Sequence, residues 1–184
     1  MNDVRTFDGS GPVEVGIAVE GDLPGIVDLL NEVAATSIAS FDVRPIRVDE
    51  RRAWFEQFSS AGPYRLLVAR RDSQVVGYAS SQRYRNHEAF QETVELSISI
   101  DAGCRALGVG TSLYRALFES LAEEPIHVVV VGIAMPNDAS VALHRKFGFT
   151  EVGTFHEYAA KNGRYINSLW MERLFEGGPH GMRV

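Results

Sequence analysis

Arg105-Ala106-Leu107-Gly108-Val109-Gly110 follows a strand-like run and precedes a helix-like one. Two glycines ahead of a helix let successive backbone N–H groups converge on one concavity at the positive end of the helix dipole. That concavity suits a pyrophosphate, with Arg105 as a cation at its rim. A tight helix-entry turn would use glycines in the same way, and the hexapeptide alone leaves the two readings level. A dinucleotide-binding turn fits less well. The spacing is not G-x-G-x-x-G, the segment sits mid-chain, and no acidic residue ends a following strand as ribose recognition would want. Upstream, Glu95 shares a strand face with Ser97 and Ser99. A carboxylate there can take a proton from an amine, although by itself a strand glutamate is more often an exposed residue without a task. Downstream, Asn137 and Ser140 open a short helix that carries His144. They read as helix caps or as hydrogen-bonding groups for a ligand. An imidazole with a pKa near 6.5 can donate a proton or hold a substrate, or it can simply be buried.

The elements that must position these groups follow from periodicity. Residues 13–19 alternate as a half-buried strand does. Asp22 offers an N-cap with Pro24 in the first turn, and Ile26, Leu29, Leu30 and Val33 recur at helical spacing. A second helix is expected over 49–58, with Trp54, Phe55 and Phe58 as its apolar stripe. Strands are expected over 66–69 and 75–79, joined by Arg71-Asp72-Ser73. Residues 83–92 are polar and aperiodic and read as a loop. The run 94–100 alternates again, with Val94, Leu96, Ile98 and Ile100 on one side. After the glycine turn comes a helix carrying Val109, Leu113, Leu117 and Leu121. An apolar, β-branched run over 126–133 reads as a central strand. A short helix over 137–147 and strands over 150–159 and 165–174 complete the order. The fold class is mixed α/β. Consecutive strands point to antiparallel pairing, and a helical crossover points to one parallel pair around 126–133. Residues 13–175 form one domain on this reading, with tails at 1–12 and 176–184.

The chain has 184 residues, of which 45% are hydrophobic and 23% charged, enough for one sizeable core and too apolar for wholesale disorder. A net charge of -6 disfavours nucleic acid, which is bound largely by Lys and Arg, and weakly disfavours an anionic membrane. Cys104 is the only cysteine, so an internal disulfide and a Cys-based zinc cluster are both excluded. No metal is expected. No secretory signal or apolar run of membrane-spanning length is present, and a cytoplasmic protein is the expectation.

With the motifs in place, the chain resembles the GNAT superfamily of N-acetyltransferases. That family carries R/Q-x-x-G-x-G/A between a strand and a helix, matched by 105–110, and further on an Asn, a short helix and a Gly-Phe, matched by 137–149. V-E-L-S-I-S-I, P-N-D-A-S-V-A-L-H-R-K-F-G-F-T-E-V-G-T and K-N-G-R-Y-I-N are similar to the phosphinothricin and methionine sulfone or sulfoximine acetyltransferase branch, over roughly residues 13 to 174. The resemblance implies a GNAT fold, a single central, mostly antiparallel sheet flanked by helices. It implies acetyl-CoA as co-substrate, a small-molecule amine as substrate and a homodimer. It implies cofactor contacts from Ile98, Ser99, Ile100, Arg105, Ala106, Leu107, Gly108, Val109, Gly110, Thr111, Asn137 and Ser140. Glu95 falls where the branch has its proposed catalytic glutamate, and His144 where many relatives have a tyrosine acid. Tyr84, Arg85 and Asn86 fall where a substrate carboxylate would be gripped. Tyr165 and Asn167 depart from the branch's Lys-x-Gly-x-Trp-x-Asp, which bears on the substrate more than on the reaction. A protein or peptide N-terminal acetyltransferase and a non-catalytic acyl-CoA-binding module are the competing readings.

Overall fold

The structure, a computed structural model, describes residues 11–175. The expected tails at 1–12 and 176–184 lie, but for Gly11 and Pro12, outside the described residues. In chain order the elements are β1 (Glu14–Ile17), α1 (Leu23–Thr36), α2 (Val48–Phe55), β2 (Arg65–Arg71), β3 (Gln74–Arg83), β4 (Thr93–Ile100), α3 (Val109–Leu121), β5 (Val128–Met135), α4 (Asp138–Lys146), β6 (Thr150–Lys161) and β7 (Arg164–Leu174). The strands form one seven-stranded sheet in the order β1-β2-β3-β4-β5-β7-β6. Every neighbouring pair is antiparallel except β4 and β5, which α3 connects as a crossover. The fold is therefore mixed α/β, as the sequence predicts.

The sheet is sandwiched because its inner strands are apolar on both faces. Leu66 and Val68 of β2 pack toward α1, meeting Ile26, Leu29, Leu30 and Val33, while Leu67 and Ala69 join the cluster under α3. On that second face Leu113, Tyr114, Leu117 and Leu121 meet Val94, Leu96, Val129, Val131 and Met171. A fully buried Leu or Val contributes about 1.5–3 kcal/mol relative to an exposed one, so these two faces hold the sheet together.

One irregularity positions the site. β4 and β5 pair only at Thr93–Val128, Val94–Val129 and Glu95–Val130. Past Glu95 each strand keeps its other neighbour. β4 stays with β3 as far as Ile100–Gly77, and β5 stays with β7 as far as Met135–Asn167. Their facing edges diverge, and the sheet opens into a cleft.

Local details differ from the sequence reading. Asp22 does not cap α1 through its side chain. Its carboxylate accepts the Val19 N–H at 2.7 Å and pairs with Arg70, a stronger, charge-assisted partner. The helix expected over 49–58 ends at Phe55, although Phe58 still packs beside Trp54. Within 83–92, Glu88–Phe90 makes one 3-10 turn. β6 and β7 run further than expected and meet at Asn162-Gly163, both at positive φ (51° and 75°), the geometry of a tight hairpin turn. β6 shifts register between Phe155 and Ala159, and Asn167 Oδ1 accepts the Glu157 N–H there at 2.9 Å. An Asp at that position would accept the same bond, so this departure from the branch leaves the hairpin unaltered.

Candidate active site

Two adjoining cavities occupy the cleft. The larger, of about 570 Å³, is lined by Ile98, Ser99 and Ile100 of β4, by Arg105, Ala106, Gly108, Val109, Gly110 and Thr111 of the glycine turn and α3, and by Pro136, Asn137, Ala139, Ser140 and Leu143. Ala106 (φ 61°) and Gly108 (φ 82°) both adopt the left-handed conformation, so the turn coils tightly into α3. The N–H groups of the first turn of a helix have no acceptor within it; the first bond back to the turn is Ser112 N–H to Gly108 at 3.0 Å. At Gly110 a Cβ would lie 2.8 Å from Ile100 Cδ1 and 3.1 Å from Leu143 Cδ2, so only glycine leaves the cradle floor undisturbed. Arg105 and Lys146 supply positive charge. Lys146, from the end of α4, donates to Thr111 Oγ1 at 3.2 Å. A diphosphate fits this arrangement of free amides, open floor and two cations.

The smaller cavity, of about 240 Å³, is lined by Glu95, Ser97, Tyr78, Gln82, Arg51, Asp42, the loop 39–42 and β5 residues 131–134. Ala39, Ile98, Ser99, Asn137 and Ser140 line both spaces and mark their junction. Glu95 stands at the last paired residue before β4 and β5 part. Half-burial there raises its carboxyl pKa above the ordinary value. Asn137 caps α4, its Oδ1 accepting the Ser140 N–H at 3.2 Å. The loop that closes both cavities is tied down by Lys161, whose buried ammonium donates to the carbonyls of Ser37 (3.0 Å) and Ser40 (2.7 Å).

His144 reaches the cavity wall but is completely buried as a residue. A carbonyl can only accept, so Nδ1–H donates to the Ser140 carbonyl at 2.7 Å. That leaves Nε2 to accept from the Tyr114 hydroxyl, also at 2.7 Å. Burial lowers the His144 pKa, and the ring is neutral at neutral pH. With both nitrogens engaged, His144 is held between Ser140 and Tyr114 at the wall of the smaller cavity.

The sequence expectations divide accordingly. Glu95 and the cofactor residues converge on one cleft, except Leu107, whose side chain is exposed and lines neither cavity. Tyr84, Arg85 and Asn86 are not brought to it. Arg85 lies over the rings of Tyr84 and Phe90, and Asn86 accepts from Arg83 at 2.9 Å. Nothing in the sequence singles out Arg51 or Lys146, because they reach the site only through tertiary folding of α2 and α4.

Comparison with known proteins places the chain in a family. Residues 28–149 match the acetyltransferase (GNAT) family. The chain is 40% identical to the phosphinothricin N-acetyltransferase of Streptomyces coelicolor, over 90% of this chain and 98% of that one. It is 33% identical to the L-methionine sulfoximine/L-methionine sulfone acetyltransferase of Pseudomonas aeruginosa, over 86% and 91%. Among solved structures, a phosphinothricin acetyltransferase from Sinorhizobium meliloti in complex with acetyl-CoA superposes with a TM-score of 0.85 at 25% identity, covering 94% of this chain and 93% of that one. A ribosomal-protein-alanine N-acetyltransferase from Brucella melitensis superposes with a TM-score of 0.82 at 34% identity, covering 88% and 99%.

Proposed function

The chain belongs to the acetyltransferase (GNAT) family and is an acetyl-CoA-dependent N-acetyltransferase, and on that premise we propose that it acetylates the α-amine of a small amino-acid-like acceptor of the phosphinothricin, methionine sulfone or methionine sulfoximine type, with Glu95 as general base. The observation that carries this reading is the junction of the two cavities, with a half-buried carboxylate in the smaller one. A space of about 240 Å³ suits a free amino acid better than a polypeptide end.

Acetyl-CoA, when bound, supplies the thioester whose acyl carbon exchanges its C–S bond for a C–N bond, giving an amide and a free thiol. The glycine turn, Arg105 and Lys146 hold its diphosphate. The unpaired edge of β4 from Ser97 to Ile100 offers backbone partners for its pantetheine amides, as an added strand would use them. An α-amine is largely protonated near neutrality, with a pKa of about 7.7–8.0. Glu95 takes that proton, directly or through one water, and its raised pKa makes it a stronger base than an ordinary carboxylate. Asn137 and Ser140 stand where the two substrates meet, and His144 keeps the Ser140 turn of α4 in place.

We assign the reaction to the cytoplasm because it consumes acetyl-CoA, and the active form to a homodimer, for which the exposed β6–β7 hairpin offers a surface. A peptide amine is the competing acceptor, favoured by likeness to the Brucella protein. The test is thiol release from acetyl-CoA with phosphinothricin, methionine sulfone, methionine sulfoximine and an alanine-terminated peptide. Turnover of at least one free amino acid above the peptide is expected. Turnover of the peptide alone would overturn the substrate class.

A further inference from the structure

Four arginines fall between residues 44 and 52, and three of them are paired at the surface. Arg44 binds Glu50, Arg47 binds Asp49 and Arg52 binds Glu20. Arg51 is different. It turns inward, lines the acceptor cavity, and its buried Nε has no hydrogen-bond partner. Its guanidinium carbon sits 4.6 Å from the centre of the Trp54 ring, and Trp54 is itself held by edge contacts to Tyr78 and Phe58 and by a 3.4 Å bond from Nε1 to Gln82 Oε1. Stacking on an aromatic face fixes the plane of the fork without using its donors. A buried donor with no acceptor is costly, and a cationic one more so. An anion arriving in the cavity removes that cost.

Among the described residues Arg51 is the only lysine or arginine lining the acceptor cavity. Asp42, the other charged side chain there besides Glu95, is turned toward its own loop and accepts from Ser40 Oγ at 2.9 Å. The cavity thus has a cation on α2 and a proton-accepting carboxylate on β4. We infer that Arg51 is the anchor for the acceptor's carboxylate, so that the cavity recognises both ends of a free α-amino acid, the anion at Arg51 and the amine at Glu95. This inference rests on the amino-acid acceptor proposed above. It names a residue that neither composition nor motif singles out, and it moves the carboxylate site from the loop at Arg85 to α2.

The experiment compares kcat and KM for one accepted amino acid with those for its amide, which keeps the α-amine and loses the anion. In Arg51→Gln, kcat/KM for the acid is expected to fall about ten- to hundredfold, the size of one or two charge-assisted hydrogen bonds. The fall should come mainly through KM, while the amide changes little. Arg51→Lys should keep part of the preference, because it restores charge but not the fork. Arg52→Gln, on the same helix, should leave the acid-to-amide ratio as in the wild type. Equal losses on acid and amide, or an unchanged ratio in Arg51→Gln, would overturn the inference and leave the acetyltransferase reading intact. If Arg51→Gln does not fold, the ratio in Arg51→Lys decides. A wild type that acetylates peptides and no free amino acid would sink the acceptor class, and the inference with it.

Discussion

With Glu95 as the proposed base, stability and chemistry oppose each other at this residue. Burial disfavours the charged carboxylate and raises its pKa. The unfolded chain has the ordinary, lower value, so below that value both states are neutral and burial costs nothing. As pH rises through the unfolded pKa and then the folded one, ionisation costs more in the folded state, and stability falls until the full penalty is reached. Glu95→Gln removes the charge. It should therefore melt higher than wild type at neutral pH, and the gap should close in acid. Turnover should move the other way, falling about 10²–10⁴-fold with acetyl-CoA affinity unchanged. The loss should shrink as pH rises, because solution then supplies more neutral amine. A Gln variant with full activity from about pH 6 to 9, the span over which an α-amine changes charge, would mean that Glu95 is a strand residue and nothing more. Alternation over 94–100 was enough to put Glu95, Ser97 and Ser99 on one face. It carried no information on burial, because the residues that enclose the carboxylate in its cavity, among them Arg51, Tyr78 and Val131, stand far away in sequence. The same holds for His144, whose imidazole is neutralised by packing against Tyr114 of α3, 30 residues earlier.

The turn into α3 was the most legible element, since its glycines have geometric reasons that a sequence can express. Gly108 has φ 82° with open space where a Cβ would point, so its requirement is conformational; Gly110 is confined by Ile100 and Leu143, so its requirement is steric. Gly108→Ala should cost about 1 kcal/mol of stability from the left-handed backbone. It should also raise the acetyl-CoA dissociation constant severalfold, since relaxing the turn re-aims the amides that form the cradle. Denaturant unfolding checks the first and calorimetric titration with acetyl-CoA on the folded variant the second, and unchanged affinity would remove the turn from the binding site. Other elements carry less of their structure in their sequence. Half of α2 is charged, with only Trp54 and Phe55 facing inward among the last residues of the helix, so its periodicity marks neither its end nor the inward turn of Arg51. The loop 83–92 offered Arg85 as an anion grip through the family resemblance; in the fold its guanidinium lies over the rings of Tyr84 and Phe90. Where a residue's task comes from its own backbone, sequence reveals it. Where the task comes from who stands opposite, as for Arg51, Lys146 and Lys161, it does not.

At the scale of the whole molecule, β6 is the feature that a monomer leaves unexplained. It closes one edge of the sheet, and from Thr150 to Tyr158 all its residues are exposed. Val152, Phe155, Tyr158 and Tyr165 are 48–70% exposed, an apolar patch on a chain of net charge -6. Contiguous exposed aromatics of this kind mark an interface more often than open surface. The register shift around Glu157 breaks the hydrogen-bonding edge, which discourages edge-to-edge pairing, so side-chain packing of the hairpin face is the contact expected. Phe41 of the loop lining the acceptor cavity touches Tyr158 at 5.8 Å between ring centres, and Lys161 holds that same loop from the hairpin's end. Covering the hairpin with a second copy would therefore steady the acceptor cavity as well as bury the patch. Light scattering across a range of concentrations should give twice the 20.3 kDa of one chain. Phe155→Glu combined with Tyr165→Glu should shift the mass toward one chain, because two buried like charges per copy would face their own images across a two-fold axis. The KM for the acceptor should rise in that variant more than the KM for acetyl-CoA, whose cradle lies on α3 away from the hairpin. A wild type that scatters as a single chain at every concentration would rule the dimer out, and the hairpin's aromatics would then need another partner.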